Sequence, residues 1–187
     1  MGELILEIFG TVTGLLYVWL EIKHRRSMWI VGIVMSVCYI VVFGVEALYA
    51  SMGLYVYYLG MSLYGWFKWG KKTQQENRPP LRPVHMNSST AWFSAGLLAV
   101  VFGGVWVALK FLTDHPAPAV DAAITTLNMV ATWLLTRSVI EQWLLLVVAN
   151  ILAIILYAHT GLWFTTGLYG VYLVASVIGY MNWRRKI

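Results

Sequence analysis

Residues 53–69 read GLYVYYLGMSLYGWFKW, and residues 167–183 read GLYGVYLVASVIGYMNW. Gly, Leu, Tyr, Tyr, Leu, Ser, Gly and Trp stand at matching places in both, 114 positions apart (167 minus 53). The offset holds upstream: Thr11 aligns with Thr125, Trp19 with Trp133, Trp29 with Trp143 and Leu48 with Leu162. Glu7 meets Asp121, and Lys23 meets Arg137. Comparing 5–69 with 119–183 position by position gives 15 identities in 65 places without a gap. Two unrelated apolar runs share Leu and Val by composition alone, but they do not keep tryptophan in register. The chain therefore reads as an internal duplication.

The duplicated material is oily. Of 187 residues, 60% are hydrophobic and 11% are charged, against about 25% charge in a soluble domain. Seven apolar segments run over 4–22, 28–50, 51–70, 88–112, 120–136, 141–158 and 161–183. Each is close to the roughly 20 residues a helix needs to cross the hydrocarbon core. They lack the alternation of strands and leave no room for a soluble domain. The expected fold is thus an all-α polytopic membrane protein with seven transmembrane helices. Met1-Gly2-Glu3 lacks the basic start of a cleaved signal peptide, so the first segment is expected to stay as a span. Cys38 is the single cysteine and lies in an apolar run, which excludes an intrachain disulfide.

Charge placement sets the topology. Lys23, Arg25 and Arg26 follow segment one, and Lys68, Lys71, Lys72, Arg78 and Arg82 follow segment three. Arg137 follows segment five, and Arg184, Arg185 and Lys186 follow segment seven. With seven crossings all of these share one side, leaving only Lys110 with Asp114 and Asp121 on the other. Basic loops stay in the cytoplasm, so the N-terminus is expected outside and the C-terminus inside, in a bacterial inner membrane. The basic balance is absorbed by topology and anionic lipid, and no nucleic-acid partner is expected. An odd repeat inverts when it is simply joined to its copy; segment four restores the direction. The expected organisation is 1–70 for the first three-helix repeat, 71–118 for a linker with the fourth helix, and 119–187 for the second repeat. The linker from Lys71 to Asn87 holds Pro79, Pro80 and Pro83. Parallel repeats of this kind enclose a central path in transporters.

Polar groups deep in hydrocarbon point to the path. Asn150 lies near the centre of segment six opposite Ser36, while Asn128 and Thr132 in segment five stand opposite Gly14 and Val18. Tyr55, Tyr58 and Ser62 share one helical face at i, i+3, i+7, and Tyr169, Tyr172 and Ser176 repeat it. The expected binding residues are Tyr58, Asn128, Asn150, Tyr172, Tyr55, Ser62 and Trp143, with Trp66, Trp69, Tyr180 and Trp183 gating the exit. Packing glue is the competing account of the serines and asparagines, and interfacial belts that of the tryptophans. Glu46, Asp121 and Glu141 sit near span ends. The core therefore reads as poor in acids, which favours facilitated diffusion over a proton relay. Tyrosine rings can still hold a cation. His24, His85, His115 and His159 lie in loops or at span ends without ligand spacing, and neither a metal, a cofactor nor catalytic residues are expected.

LYAS (48–51), LYGWFKW (63–69), TRSVIEQWLLLVVAN (136–150) and YMNW (180–183) resemble the PnuC family of bacterial nicotinamide riboside transporters, across nearly the whole chain. The resemblance implies a fold related to the SWEET sugar transporters, passive uptake of a vitamin trapped by phosphorylation, and a homotrimer. Span three departs from the riboside pattern. Tyr55 and Ser62 stand where that pattern carries a glutamine and an asparagine. Related members, called PnuT, resemble thiamine carriers, and a tyrosine-rich site that has lost amides suits thiamine. The expected substrate is thiamine or nicotinamide riboside, with another vitamin such as riboflavin as the remaining alternative. A SWEET-like sugar carrier, a membrane assembly protein and an intramembrane enzyme are the alternatives; the last needs a paired acid or a histidine cluster on the spans.

Overall fold

The structure, a computed structural model, describes residues 2–45, 49–73, 82–112 and 117–187. Glu46, Leu48, Arg78, Pro79, Pro80, Asp114 and His115 lie outside the described residues, as do the side chains of Glu7, Lys71 and Lys72. Seven helices are described: α1 Gly2–Ile22, α2 Met28–Val45, α3 Tyr49–Thr73, α4 Ser88–Leu112, α5 Pro118–Thr136, α6 Gln142–His159 and α7 Trp163–Arg184. The expected second segment, 28–50, overshoots at its end, because α3 already begins at Tyr49. Helix α3 also runs past residue 70 to Thr73, over a Gly-Lys-Lys-Thr stretch in which lysine is a good helix former.

Among the described residues, five helices are long and apolar enough to cross a membrane: α2, α4, α5, α6 and α7. The described apolar part of α1, Ile8–Ile22, is shorter. Helix α3 has the length but carries three lysines and five tyrosines, which lower its hydropathy. The chain is a multi-pass, all-helical membrane protein.

The chain forms two compact units, Met1–Arg82 and Pro83–Ile187. In the first, α2 packs on both α1 and α3. In the second, the helices pack in sequence, α4 on α5, α5 on α6 and α6 on α7. Both are inside-out relative to a soluble domain. On α2 the exposed stripe is Ile30, Val34, Val37 and Val41, while Gly32 and Ser36 are buried. On α6 the exposed stripe is Leu144, Val148, Ile151 and Ile155, while Ala149, Asn150 and Ala153 are buried. The two stripes coincide at the 114-residue offset. Small residues inside let helices approach closely, and branched aliphatic ones outside suit lipid.

The helix ends repeat too. Helix α1 closes with the Arg25 amide donating to Leu20 O at 2.9 Å and the His24 amide to Glu21 O at 2.8 Å. Helix α5 closes with the Val139 amide donating to Leu134 O at 3.2 Å and the Ser138 amide to Leu135 O at 2.9 Å. These are Schellman closures. Their left-handed residues are His24 at φ 57° and Ser138 at φ 59°, where glycine is the usual occupant. Gly161, at φ 76°, fills that role after α6.

Among the described residues, the second unit carries an attachment that the first does not. The segment before α4 runs beside the α5–α6 turn, with the Val84 amide donating to Ser138 O at 2.9 Å and the Ile140 amide to Val84 O at 3.0 Å. Glu141 completes the attachment, accepting from the Met86 amide at 2.9 Å and lying 3.0 Å from His85 Nδ1. Asn87 then caps α4, its Oδ1 accepting from the Thr90 amide at 2.8 Å.

Candidate functional site

At the basic end of the first unit, Trp29 and Trp69 meet edge-on with ring centroids 5.5 Å apart and planes at 89°. In the second unit, Trp143 and Trp183 meet at 5.5 Å and 87°. Each pair closes over a glycine. A Cβ at Gly65 would overlap the Trp29 ring, and a Cβ at Gly179 the Trp143 ring. Trp29, Trp143 and Trp183 are fully buried and Trp69 nearly so. The indole N–H groups of Trp29 and Trp143 are buried without a hydrogen-bond partner among the described residues. Unpaired buried donors are rare enough to need a cause, and these two stand at the same register.

About three to four turns along α3 and α7 from Trp69 and Trp183 lie the tyrosines. Tyr55 and Tyr58 are edge-on at 5.9 Å, and Tyr169 and Tyr172 at 5.8 Å. Each pair extends across to the neighbouring helix, Tyr55 to Phe43 at 5.5 Å and Tyr169 to Tyr157 at 5.2 Å. The first unit adds Tyr39, 4.7 Å from Tyr55. Edge-to-face rings present negative faces that can accept a cation.

The polar groups differ between units. Asn150 Nδ2 donates to Ser176 Oγ at 3.0 Å, and Ser176 donates to Tyr172 O at 2.8 Å, so α6 and α7 are joined through a buried amide. In the first unit Ser36 stands in place of Asn150 and donates within its own helix to Gly32 O at 2.7 Å. A Cβ at Gly32 would sit 2.7 Å from Ser62 Oγ and 3.2 Å from the Tyr17 ring, so α1 and α3 converge on this bare position. Asn128 turns back onto its own helix, donating to Ile124 O at 2.8 Å. Thr132 does likewise, to Asn128 O at 2.8 Å.

Of the residues the sequence singled out, the second unit thus brings Asn150, Tyr172 and Ser176 into one bonded chain and joins Trp143 to Trp183. The first unit brings Tyr55 to Tyr58 and places Ser62 beside Gly32. Trp66 is held by Arg26, whose guanidinium lies 3.7 Å from the ring centroid and whose Nε donates to Trp66 O at 3.0 Å. Tyr180, its counterpart at the offset, is half-buried. No group of three or more His, Cys, Asp or Glu suited to a metal occurs among the described residues.

Sequence reasoning missed Arg26, Tyr17, Tyr39 and Phe43. It also missed Glu21, which is 2% exposed at the last turn of α1. The spacing Tyr17, Glu21 at i, i+4 was the available signal.

The profile of the nicotinamide mononucleotide transporter family matches residues 4–185. The chain is 28% identical over 181 residues to the nicotinamide riboside transporter PnuC of Escherichia coli, covering 84% of this chain and 76% of that protein. It is 27% identical over 186 residues to the riboflavin/roseoflavin transporter RibM of Streptomyces davaonensis, covering 95% and 83%. Among solved structures, that of the vitamin B3 transporter PnuC superposes with a TM-score of 0.72 at 26% identity, covering 96% of this chain and 80% of that one.

Proposed function

Because the chain belongs to the nicotinamide mononucleotide transporter family, we propose that it carries a cationic vitamin, thiamine or nicotinamide riboside, into the cell by facilitated diffusion. Uptake is drawn inward by metabolic trapping of the product, and the protein itself makes and breaks no bond. The observation that carries this reading is the edge-on tyrosine pair present in each unit, Tyr55–Tyr58 and Tyr169–Tyr172. A desolvated cation gains about 2 kcal/mol or more from such a ring. Tyr58 and Tyr55 with Ser62 in the first unit, and Tyr172, Asn150, Asn128 and Trp143 in the second, line the path. Trp66, Trp69, Tyr180 and Trp183 stand at the cytoplasmic exit.

The proposed architecture is two like-oriented three-helix repeats joined by α4, in an inner membrane with the N-terminus outside, and assembled as a homotrimer. It is supported by the tryptophan pairs, the left-handed turns and the exposed stripes that recur at 114 residues. The amide of Asn150 and the hydroxyl of Ser36 at one register suit an unsymmetrical ligand.

The resemblance to a riboflavin carrier favours a second reading, in which the cargo is a neutral flavin. Titration of the purified protein with thiamine, nicotinamide riboside, riboflavin and a hexose, read by tryptophan quenching, separates them. Saturable quenching by a cationic vitamin alone is expected. Quenching by riboflavin alone transfers the assignment to the flavin, and quenching by the hexose alone to a sugar carrier.

A further inference from the structure

Arg26 lies in the tight turn that joins α1 to α2. There the Arg25 amide donates to Leu20 O at 2.9 Å and the Trp29 amide to Arg26 O at 3.1 Å. The backbone of the turn is fixed on both sides of Arg26, and its side chain reaches across to α3. The guanidinium carbon stands 3.7 Å from the centroid of the Trp66 ring, well within cation–π range. Its Nε donates to Trp66 O at 3.0 Å. A Cβ at Gly70, one turn further along α3, would collide with the same guanidinium, so the bare position leaves room for it. Three separate contacts thus hold one cation on one ring. Tryptophan is the strongest ring for a cation, and arginine the partner whose planar head stacks on it.

The sibling unit shows that the fold does not demand a cation at this place. At the 114-residue offset Ile140 replaces Arg26 and is fully buried. Tyr180 replaces Trp66, and Arg184 replaces Gly70. The guanidinium is therefore carried by α7 in the second unit, where Arg184 is exposed. Among the described residues it makes no cation–π contact with Tyr180. Only the first unit sets its arginine on an aromatic ring of the proposed exit.

A ring that holds cations well is a poor exit for cationic cargo. Passage needs each site to bind weakly enough to let go. A guanidinium on one face of the indole takes that face, and its charge repels a second cation approaching the other. We infer that Arg26 is the resident cation of the exit, a positioning residue that occupies one face of Trp66 and keeps a departing cationic vitamin from lodging there. The inference rests on the proposed vitamin transport.

The test measures KM and Vmax for labelled thiamine and nicotinamide riboside in proteoliposomes. It uses wild type, Arg26→Gln, Arg26→Met, Arg26→Lys and Arg25→Gln. The glutamine and methionine variants both remove the charge, and either suffices should the other not fold. Each should lower KM and Vmax together by at least threefold, the signature of cargo that binds better and leaves more slowly. Arg26→Lys keeps a cation within reach of the ring, and Arg25→Gln removes an exposed charge from the same turn. Both should stay within twofold of wild type in both constants. A merely structural role for Arg26 gives a lower Vmax with KM unchanged or raised, and that result overturns the inference. So do unchanged constants in the neutral variants, or an Arg26→Lys protein that behaves like them. An Arg25→Gln protein that reproduces the effect overturns it too, by assigning the effect to net charge. Wild type that transports neither vitamin refutes the transport reading, and the inference falls with it.

Discussion

The hydroxyl of Tyr39 occupies the space where a side chain at Gly10 would stand. At the 114-residue offset the sizes are exchanged: Ile124 replaces Gly10 and Ala153 replaces Tyr39, and these two share one buried cluster. Each unit fills the same α1–α2 or α5–α6 seam from the opposite helix. Gly10→Ile should therefore destabilise the protein sharply, and Tyr39→Ala should leave a void. Gly10→Ile with Tyr39→Ala should be more stable than the sum of the two, with a coupling of about 1–3 kcal/mol. Thermal unfolding in detergent reads this cycle, and strict additivity would show the two side chains to be independent.

The tryptophan pairs lean on glycine in a comparable way. With the Trp143 ring 2.5 Å from a Cβ built at Gly179, Gly179→Ala must displace the indole or the helix. Overpacking of this kind costs about 1–3 kcal/mol. Gly65→Ala should cost a similar amount through Trp29. Unchanged melting temperatures in both variants would mean that the rings are not fixed by these contacts.

The turn after α5 offers a change in the opposite direction. Ser138 holds φ 59°, a conformation in which an L side chain crowds its own backbone. Replacing it with glycine should stabilise by up to about 1 kcal/mol, because the hydrogen bonds from the Val84 amide to Ser138 O and from the Ser138 amide to Leu135 O are made by the main chain. Gly161→Ala, at φ 76°, should destabilise by about the same amount. Paired unfolding measurements of the two variants give opposite signs if the turns are as described.

Asn150 separates packing from binding. Its amide joins Ser176 and, through it, the Tyr172 carbonyl. An interhelical bond inside a membrane contributes only about 0.6–1.7 kcal/mol, so Asn150→Leu should lower stability by no more than that. If the amide also touches the vitamin, affinity should fall at least tenfold, since a lost polar contact leaves its partner unsatisfied. Ser176→Ala, which removes the bond but keeps the amide, should weaken binding less. Wild-type affinity in Asn150→Leu would assign the residue to packing alone.

Much of this was legible before the structure. Tryptophan is rare and bulky, so the matched spacing of Trp29/Trp143 and Trp69/Trp183 stood out in the sequence. The same helical periodicity that groups Tyr55 with Tyr58 put their rings edge-on. The start of α3 at Tyr49 was hidden because apolar residues precede and follow it. Sequence spacing alone does not show the local bond from the Asn128 amide to the Ile124 carbonyl one turn back. Glu21 escaped notice for the converse reason. A carboxylate next to Lys23 at the end of a span looks solvated, and only packing reveals that it is buried.

The central claim is selective movement of a cationic vitamin down its gradient. Counterflow into proteoliposomes preloaded with unlabelled vitamin, with no ion gradient imposed, measures it directly. Labelled thiamine or nicotinamide riboside should accumulate transiently and then decay to equilibrium, with Asn150→Leu reduced at least tenfold. Liposomes that take up neither vitamin above protein-free controls, or that do so only when a proton or sodium gradient is applied, would contradict the account.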